Sequence, residues 1–151
     1  MSIAFKTIKS SEFEVVATMM ADFYAIDNYP FDRAAALGLL TEFTENENLG
    51  RGWLILNDGE VSGYVILTFV FSFEYKGRIA FLDELYISPK AQGKGLGSKT
   101  LDFVKGEASG LSLKLIYLEV EGHNEIAQKL YMSKGFIMHN RPIMKLKMSY
   151  L

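Results

Sequence analysis

The sequence predicts an α+β (mixed α/β) protein, with a central mixed, mostly antiparallel sheet of about six to seven strands flanked by about four helices. Three observations predict this class. Segments with apolar residues at every third or fourth position are mixed with short strand-like runs, an Asp-Gly turn joins two of these runs, and the order of elements gives three consecutive antiparallel strands. With 151 residues, of which 49% are hydrophobic, one domain spanning 1–151 is expected.

The first fifty residues are predicted to form one strand and two helices. Residues 3–8 alternate as in a short strand, and Ser11 and Glu14 have the spacing of a capping box that begins the first helix. Pro30 forces a break before the second helix, which Asp32 is expected to cap. A polar loop then leads to the sheet, and no domain boundary is predicted there.

From residue 53 onward the pattern is that of a sheet with two further helices. The Asn-Asp-Gly sequence at 57–59 predicts a tight hairpin turn. Asn124 is expected to cap a helix that stops at Gly135. The remaining predicted elements are strands at 53–56, 61–71, 79–87, 114–120, 136–140 and 143–150, and a helix over about 96–108.

Composition excludes several classes of site. There is no cysteine, which removes disulfides, thiolate metal sites and a cysteine nucleophile, and with only His123 and His139 no metal centre is expected. No apolar stretch approaches the roughly 18–20 residues of a membrane span, and the first residues lack the apolar core of a signal peptide. A cytoplasmic protein without a membrane partner is therefore predicted.

The distribution of charge is more informative than the net charge of -2, which argues against nonspecific nucleic-acid binding. Residues 1–50 hold eight acidic and three basic side chains, whereas the remainder holds ten acidic and thirteen basic ones. This asymmetry suits a cationic substrate on one side and an anionic cofactor on the other. Solvated helix faces are an equally good explanation.

Three glycines at alternate positions, Gly93, Gly95 and Gly97, lead into the helix predicted from residue 96. Glycine lets backbone N–H groups converge on an anion, and a helix N-terminus favours phosphate. A Rossmann fingerprint needs its third glycine one residue later, so it fails on spacing. A P-loop differs only by Ser98 in place of its second glycine, but five residues separate these glycines from the strand, and a nucleotide-binding protein remains an alternative.

A third pattern, Gln/Arg-x-x-Gly-x-Gly/Ala, is satisfied by Gln92, Gly95 and Gly97. At this point the chain resembles the GNAT superfamily of N-acetyltransferases, whose acetyl-CoA diphosphate loop has that spacing. DELYISP at 83–89 is similar to the family's fourth strand, and LEVEGHNEIAQKLYMSKGF at 118–136 is similar to its fifth strand and the following helix. The clear resemblance covers roughly residues 50–140, and by element order the whole chain.

The resemblance implies that acetyl-CoA is the cofactor and that the glycine loop holds its diphosphate. The main chain at Leu85 and Ile87 is expected to bond the pantetheine, as is Asn124, and Tyr131 is expected to contact the cofactor. Lys94 is expected to add positive charge, although a solvated surface is its alternative role. The implied diphosphate-binding residues are Gln92, Gly93, Lys94, Gly95, Leu96, Gly97 and Ser98.

Without a cysteine, direct attack of an amine on the thioester in a ternary complex is the economical mechanism. An ammonium group of pKa about 10.4 must first lose a proton, and the resemblance places Glu84 or Asp83 where related enzymes have a carboxylate. Strict alternation puts the two on opposite faces, but a bulge would change this, so both remain candidates with Glu84 preferred. Tyr131 matches the family's general acid for the leaving thiolate.

The acceptor is expected to be a cationic small-molecule or peptide amine. The N-terminal helices and the turn before the third strand offer aromatic walls and acids suited to an ammonium group. The candidate residues are Asp27, Tyr29, Phe31, Phe73, Glu74 and Glu119. A non-catalytic acyl-CoA-binding module is the alternative function, and residues 143–151 are a candidate for strand pairing across a homodimer.

Overall fold

The computed structural model describes residues 1–148, which fall into two units, Met1–Glu119 and the part that begins at Val120. Within these residues the first unit contains a five-stranded sheet and three α-helices, and the second contains one α-helix. The strands are β1 (Ile3–Thr7), β2 (Gly50–Asn57), β3 (Glu60–Ser72), β4 (Gly77–Ile87) and β5 (Ile116–Tyr117). The α-helices are α1 (Phe13–Ile26), α2 (Arg33–Glu45), α3 (Leu96–Gly110) and α4 (Glu125–Ser133).

The strands lie in sequence order across the sheet. Neighbours are antiparallel from β1 to β4, and the β4/β5 pair is parallel. Asp58 and Gly59 form the two-residue turn between β2 and β3, with φ values of 51° and 80°, as a primed hairpin turn requires. The predicted class, a mixed and mostly antiparallel sheet with four helices, is confirmed.

Helices cover both faces of this sheet. On one face, Val16 of α1 and Leu40 of α2 pack in a buried cluster with Tyr64 of β3. On the other face, Phe103 of α3 stacks on Phe5 of β1 with 4.1 Å between ring centroids. Burying a large apolar side chain contributes about 1.5–3 kcal/mol, so the two apolar layers hold the helices against the sheet.

The two predicted helix caps with a single capping side chain are confirmed. Asp32 accepts the backbone N–H of Ala35 at 3.1 Å and begins α2. Asn124 accepts the backbone N–H of Ala127 at 3.1 Å and begins α4. Each cap satisfies an N–H group that has no partner inside its helix.

The predicted capping box at Ser11 and Glu14 is wrong. The acidic partner is Glu12, whose carboxylate accepts the backbone N–H of Lys9 at 2.9 Å and the ammonium of Lys6 at 2.8 Å. A short 3-10 turn therefore precedes α1. The cap therefore lies earlier than predicted, and Lys6 on β1 supplies a second donor to Glu12.

The sheet has fewer strands than predicted. The strand expected over 114–120 is limited to Ile116–Tyr117, and 136–140 and 143–148 form no strand within the described residues. Alternating apolar residues would give a strand one apolar face, but a strand forms only where a neighbouring backbone supplies hydrogen bonds. The end of the predicted last strand, at 149–150, lies outside the described residues. The single domain and the homodimer stay predictions.

Candidate active site

A β-bulge in β4 positions the two candidate carboxylates. In the β3/β4 pair, Glu84 lies opposite Ile66 and Leu82 lies opposite Leu67, so Asp83 has no residue opposite it. An extra residue of this kind interrupts the alternation of side chains between the two faces. Asp83 and Glu84 therefore line the same cavity instead of opposite faces of the sheet.

This cavity lies between α1, α2 and the strands β3 and β4, and its volume is about 480 Å³. Small-molecule sites generally measure about 300–1,000 Å³. Its acidic lining side chains are Asp32, Glu42, Asp83 and Glu84, and no lysine, arginine or histidine of the described residues lines it. Its apolar walls include Met20, Phe31, Leu40, Phe43, Ile66 and Phe69.

Two tyrosines hold the carboxylate of Glu84. The hydroxyl of Tyr24 on α1 donates to Oε2, and the hydroxyl of Tyr64 on β3 donates to Oε1, both at 2.6 Å. Burial, followed by the proximity of Glu84, raises the pKa of both phenols. Both phenols therefore stay protonated at neutral pH and remain donors, which fixes Glu84 in one orientation at the cavity wall.

Both carboxyl groups have a pKa above the usual value for their type. For Glu84, burial raises the pKa, the hydrogen bonds from Tyr24 and Tyr64 lower it in part, and the negative charge of Asp83 raises it. For Asp83, burial and then the charge of Glu119 raise the pKa. A carboxylate with a raised pKa is a stronger base and accepts a proton from an ammonium group more readily.

The glycine loop leaves the N-terminus of α3 open to an anion. Gly93 and Gly95 have φ values of 77° and 78°, and Gly95 immediately precedes the helix. No side chain of the described residues caps α3, whereas α2 and α4 are capped. The first N–H groups of the helix therefore remain available to a phosphate. These groups belong to Leu96, Gly97 and Ser98.

Two further residues of the predicted loop are exposed. Gln92 donates from its side-chain amide to the Ile87 carbonyl at 3.1 Å and so ties the loop to the end of β4. Lys94 is exposed between the two glycines of positive φ. Its charge therefore lies in the same loop as the open helix N-terminus, while a solvated role is equally consistent with its exposure.

Within residues 1–148, one edge of β4 has no paired strand over the residues that precede the glycine loop. Among the described residues, β5 pairs with β4 only at Ala80 and Phe81, whereas β3 pairs with β4 as far as Ile87. The main chain of Leu85 and Ile87 therefore lies on a strand edge that β5 does not cover. A strand edge of this kind can pair with an extended ligand.

Of the predicted acceptor residues near the N-terminal helices, only Phe31 lines the cavity. Phe31 lines it and packs edge-on against Tyr24, with ring centroids 5.5 Å apart. Asp27 lies at the C-terminal end of α1, and Tyr29 is exposed in the connection to α2. Neither of these two side chains lines the cavity.

The other predicted acceptor residues lie outside the cavity lining. Phe73 and Glu74 lie in the turn between β3 and β4, where Phe73 is 89% exposed and contacts the ring of Phe71. Glu119 is exposed and influences Asp83 by its charge without lining the cavity. The Phe73 turn and the cavity are therefore separate features of the first unit.

The second unit carries two more predicted site residues. Asn124 caps α4, and Tyr131 lies on that helix with its ring edge-on to Phe136 at a centroid distance of 5.8 Å. Burial raises the pKa of Tyr131. The phenol therefore keeps its proton at neutral pH and is available as a hydrogen-bond donor to a developing thiolate. The roles of Asn124 and Tyr131 towards a cofactor stay predictions.

Sequence reasoning missed Tyr24 and Tyr64 as partners of Glu84. A buried carboxylate needs hydrogen-bond donors, so the acidic pair inside an apolar strand was a signal that such partners exist. It did not identify them, because the partners are 60 and 20 residues away from Glu84 along the chain.

Residues 1–148 contain no cluster of three or more His, Cys, Asp or Glu side chains with the arrangement of a metal site. In the same residues, every helix is too short or too polar to cross a membrane.

Comparison with known families identifies the class of this protein. The acetyltransferase (GNAT) family matches residues 14–136, which is most of the chain. The chain therefore belongs to the GNAT family, and the resemblance inferred from the glycine loop and its neighbours is confirmed.

Individual relatives agree with this assignment. The uncharacterised N-acetyltransferase YhfO of Bacillus subtilis is 34% identical over 79 residues, which are 52% of this chain and 53% of that protein. The chain thus spans about half the length of this curated relative. An integron cassette protein from the mobile metagenome of Cole Harbour Salt Marsh has the same fold, with a TM-score of 0.86 and 28% identity over 96% of this chain and 90% of that chain. A predicted acetyltransferase of Clostridium acetobutylicum, solved with acetyl-CoA, has a TM-score of 0.80 and 13% identity, with 96% of each chain covered.

Proposed function

We propose that this protein is an N-acetyltransferase that moves the acetyl group of acetyl-CoA to the primary amine of a cationic small molecule or peptide. The observation that carries the proposal is the bulge in β4, which directs Asp83 and Glu84 into one cavity. The same strand continues to an uncovered edge and then to the glycine loop before α3. A carboxylate pair and an anion site are thus connected by a few residues of one strand.

Acetyl-CoA is the proposed acetyl donor because β4 and the helix that follows it suit the pantetheine and the diphosphate of this cofactor. The open N-terminus of α3 suits the diphosphate, and the uncovered main chain at Leu85 and Ile87 suits the pantetheine amides. The C. acetobutylicum protein of the same fold was solved with acetyl-CoA, and membership of the acetyltransferase family supports the same donor.

In the proposed reaction, Glu84 accepts a proton from the bound ammonium group, directly or through a water molecule. The neutral amine nitrogen then attacks the thioester carbonyl carbon, forming the C–N bond. Collapse of the tetrahedral intermediate breaks the C–S bond, and the thiolate leaves with a proton from Tyr131. As the amide forms, the nitrogen loses its second proton, which replaces the proton that Tyr131 gave to the thiolate. The amide and CoA are then released, and Glu84 returns the first proton to solvent.

The release of CoA thiol from acetyl-CoA, measured with a panel of primary amines, tests this proposal. We expect release that depends on the amine, with an amide product of acetylated mass. If CoA binds but no amine is turned over, the protein is a non-catalytic acyl-CoA-binding module. A thermal shift with ATP and Mg²⁺ but none with CoA would indicate a nucleotide-binding protein instead.

Replacing Tyr131 by Phe is expected to lower kcat about 100-fold, because general acid catalysis typically contributes about 10²–10⁴-fold. The ring and its contact with Phe136 are retained, so the Kd for CoA should change little. Steady-state kinetics and a CoA titration measure the two quantities. An acyl donor with a less basic thiol leaving group should narrow the difference in kcat, and an unchanged kcat with acetyl-CoA would contradict the acid role.

Replacing Gly95 by Ala tests the loop before α3. No atom lies within 4 Å of the added Cβ, but the φ of 78° is unfavourable for alanine by about 1–2 kcal/mol. We expect a Tm lower by roughly 3–6 °C and a higher Kd for CoA, since the change in φ redirects the N–H groups. Gly106→Ala in the interior of α3 is the control, which should raise the Tm and leave the Kd unchanged.

A further inference from the structure

The walls of the cavity beside Asp83 and Glu84 narrow the class of acceptor, in an argument that rests on the proposed function. We infer that the acceptor is a primary amine on an apolar alkyl or arylalkyl body that carries no carboxylate. The juxtaposition that carries this inference is a carboxylate pair from one strand facing apolar side chains from three other elements.

The apolar part of the cavity is built by α1, α2 and β3. Met20 comes from α1, Leu40 and Phe43 come from α2, and Ile66 and Phe69 come from β3. A hydroxyl-rich amine would place polar groups against these five side chains, which offer no hydrogen-bond partner, and this is unfavourable. An alkyl chain or aromatic ring is instead stabilised there by the removal of its apolar surface from water.

The charged lining selects for a cation. Asp83 and Glu84 face the cavity, while Asp32 already accepts the N–H of Ala35 and Glu42 is exposed on α2. No basic side chain among the described residues lines the cavity, so the carboxylate of an amino acid would be desolvated near like charges. An amine that lacks a carboxylate avoids this cost and pairs its ammonium group with the acidic pair.

Matched amines test the inference, with rates compared at equal concentrations of free amine. We expect hexylamine to have a kcat/KM at least tenfold above that of butylamine, since each buried methylene is worth about fourfold. We also expect phenethylamine to exceed phenylalanine at least tenfold, and phenylalanine amide, which lacks the negative charge, to recover most of the difference. Equal rates for phenethylamine and phenylalanine, or for the two alkylamines, would overturn the inference.

A pair of neighbouring alanines on α2 provides the variant test. Both are exposed, but Ala35 lines the cavity and Ala34 does not. Ala35→Trp is expected to raise the KM for phenethylamine at least tenfold and the KM for methylamine by a much smaller factor. Ala34→Trp, which adds the same bulk to the same helix, is expected to leave both substrates unchanged.

The outcomes separate this inference from the proposed function. If no amine releases CoA, the acetyltransferase proposal fails. If amines are acetylated but hydroxyl-rich or carboxylate-bearing amines react fastest, the function stands and the apolar acceptor is wrong. Equal effects of the two tryptophan variants on phenethylamine would show that its body does not occupy this cavity.

Discussion

Replacing Glu84 by Gln is expected to lower kcat by about two to four orders of magnitude, the usual contribution of a general base. The amide has nearly the shape of the carboxylate but accepts no proton from an ammonium group at neutral pH. The loss should therefore appear in kcat, while the Kd for CoA and the far-UV circular dichroism spectrum stay close to those of the unmodified protein. A variant with more than half the original kcat would exclude Glu84 as the base.

The pH dependence of kcat/KM tests the same assignment through two substitutions with opposite expected effects. The hydrogen bond from Tyr24 lowers the pKa of Glu84, so Tyr24→Phe should raise that pKa and move the acidic limb of the profile to higher pH. The negative charge of Asp83 raises the pKa of Glu84, so Asp83→Asn should move the limb to lower pH and retain activity.

The alternative, in which Asp83 is the base, predicts different effects of these substitutions. If Asp83 is the base, Asp83→Asn abolishes turnover, while Glu84→Gln removes the charge of a neighbour and leaves measurable activity. Tyr24→Phe keeps the ring that packs against Phe31, so the shape of the cavity should not change. A shift of the acidic limb of the pH profile in this variant therefore reports the loss of the hydrogen bond and not a loss of packing.

The second large effect is expected at Gly63, which lies opposite Ile87 where β3 and β4 pair. A Cβ at this position would be 2.0 Å from the carbonyl oxygen of Tyr86, a backbone atom that cannot move without separating the strands. We expect Gly63→Ala to lower the free energy of unfolding by about 3 kcal/mol and the Tm by roughly 10 °C. The Kd for CoA should also rise, because the displaced residues form the end of β4 before the glycine loop.

Gly38→Ala on α2 is the matched control for this substitution. Its added Cβ would have no atom within 4 Å, so the variant should gain roughly 0.5–1 kcal/mol of stability through the helix preference of alanine. Thermal unfolding of the two variants measures both effects. A Gly63→Ala protein with an unchanged Tm would show that the close approach of β3 and β4 is absent.

Much of the fold was predictable because its signals are local. Asp32 and Asn124 cap their helices through contacts three residues away, and Asp58 with Gly59 forms its turn from its own backbone preferences. The prediction at Ser11 failed, since Glu12 closes the turn and also accepts from Lys6 on β1, a contact outside the local pattern. The strands expected after α4 failed for a similar reason, since a strand depends on a distant backbone partner.

The candidate site shows the same division between local and distant information. The spacing of the glycines and the similar segments at 83–89 and 118–136 identified the family, as matching of residues 14–136 to the GNAT family confirms. The roles of Asp83 and Glu84 stay predictions. The acceptor residues were predicted poorly, with Phe31 lining the cavity and Tyr29 and Phe73 exposed elsewhere. Aromatic residues in loops resemble one another in sequence whether or not they border a cavity.

By itself, the sequence determined the class of fold, the glycine loop before α3 and the presence of an acidic pair on β4, because each depends on residues close together in the chain. Only the tertiary structure decided that Asp83 and Glu84 share a face, since the bulge is a property of the register between β3 and β4. The tertiary structure also decided that Tyr24 and Tyr64 hold Glu84 and that apolar side chains from three elements line the cavity beside it. Such contacts arise from the packing of distant segments, which no local pattern specifies.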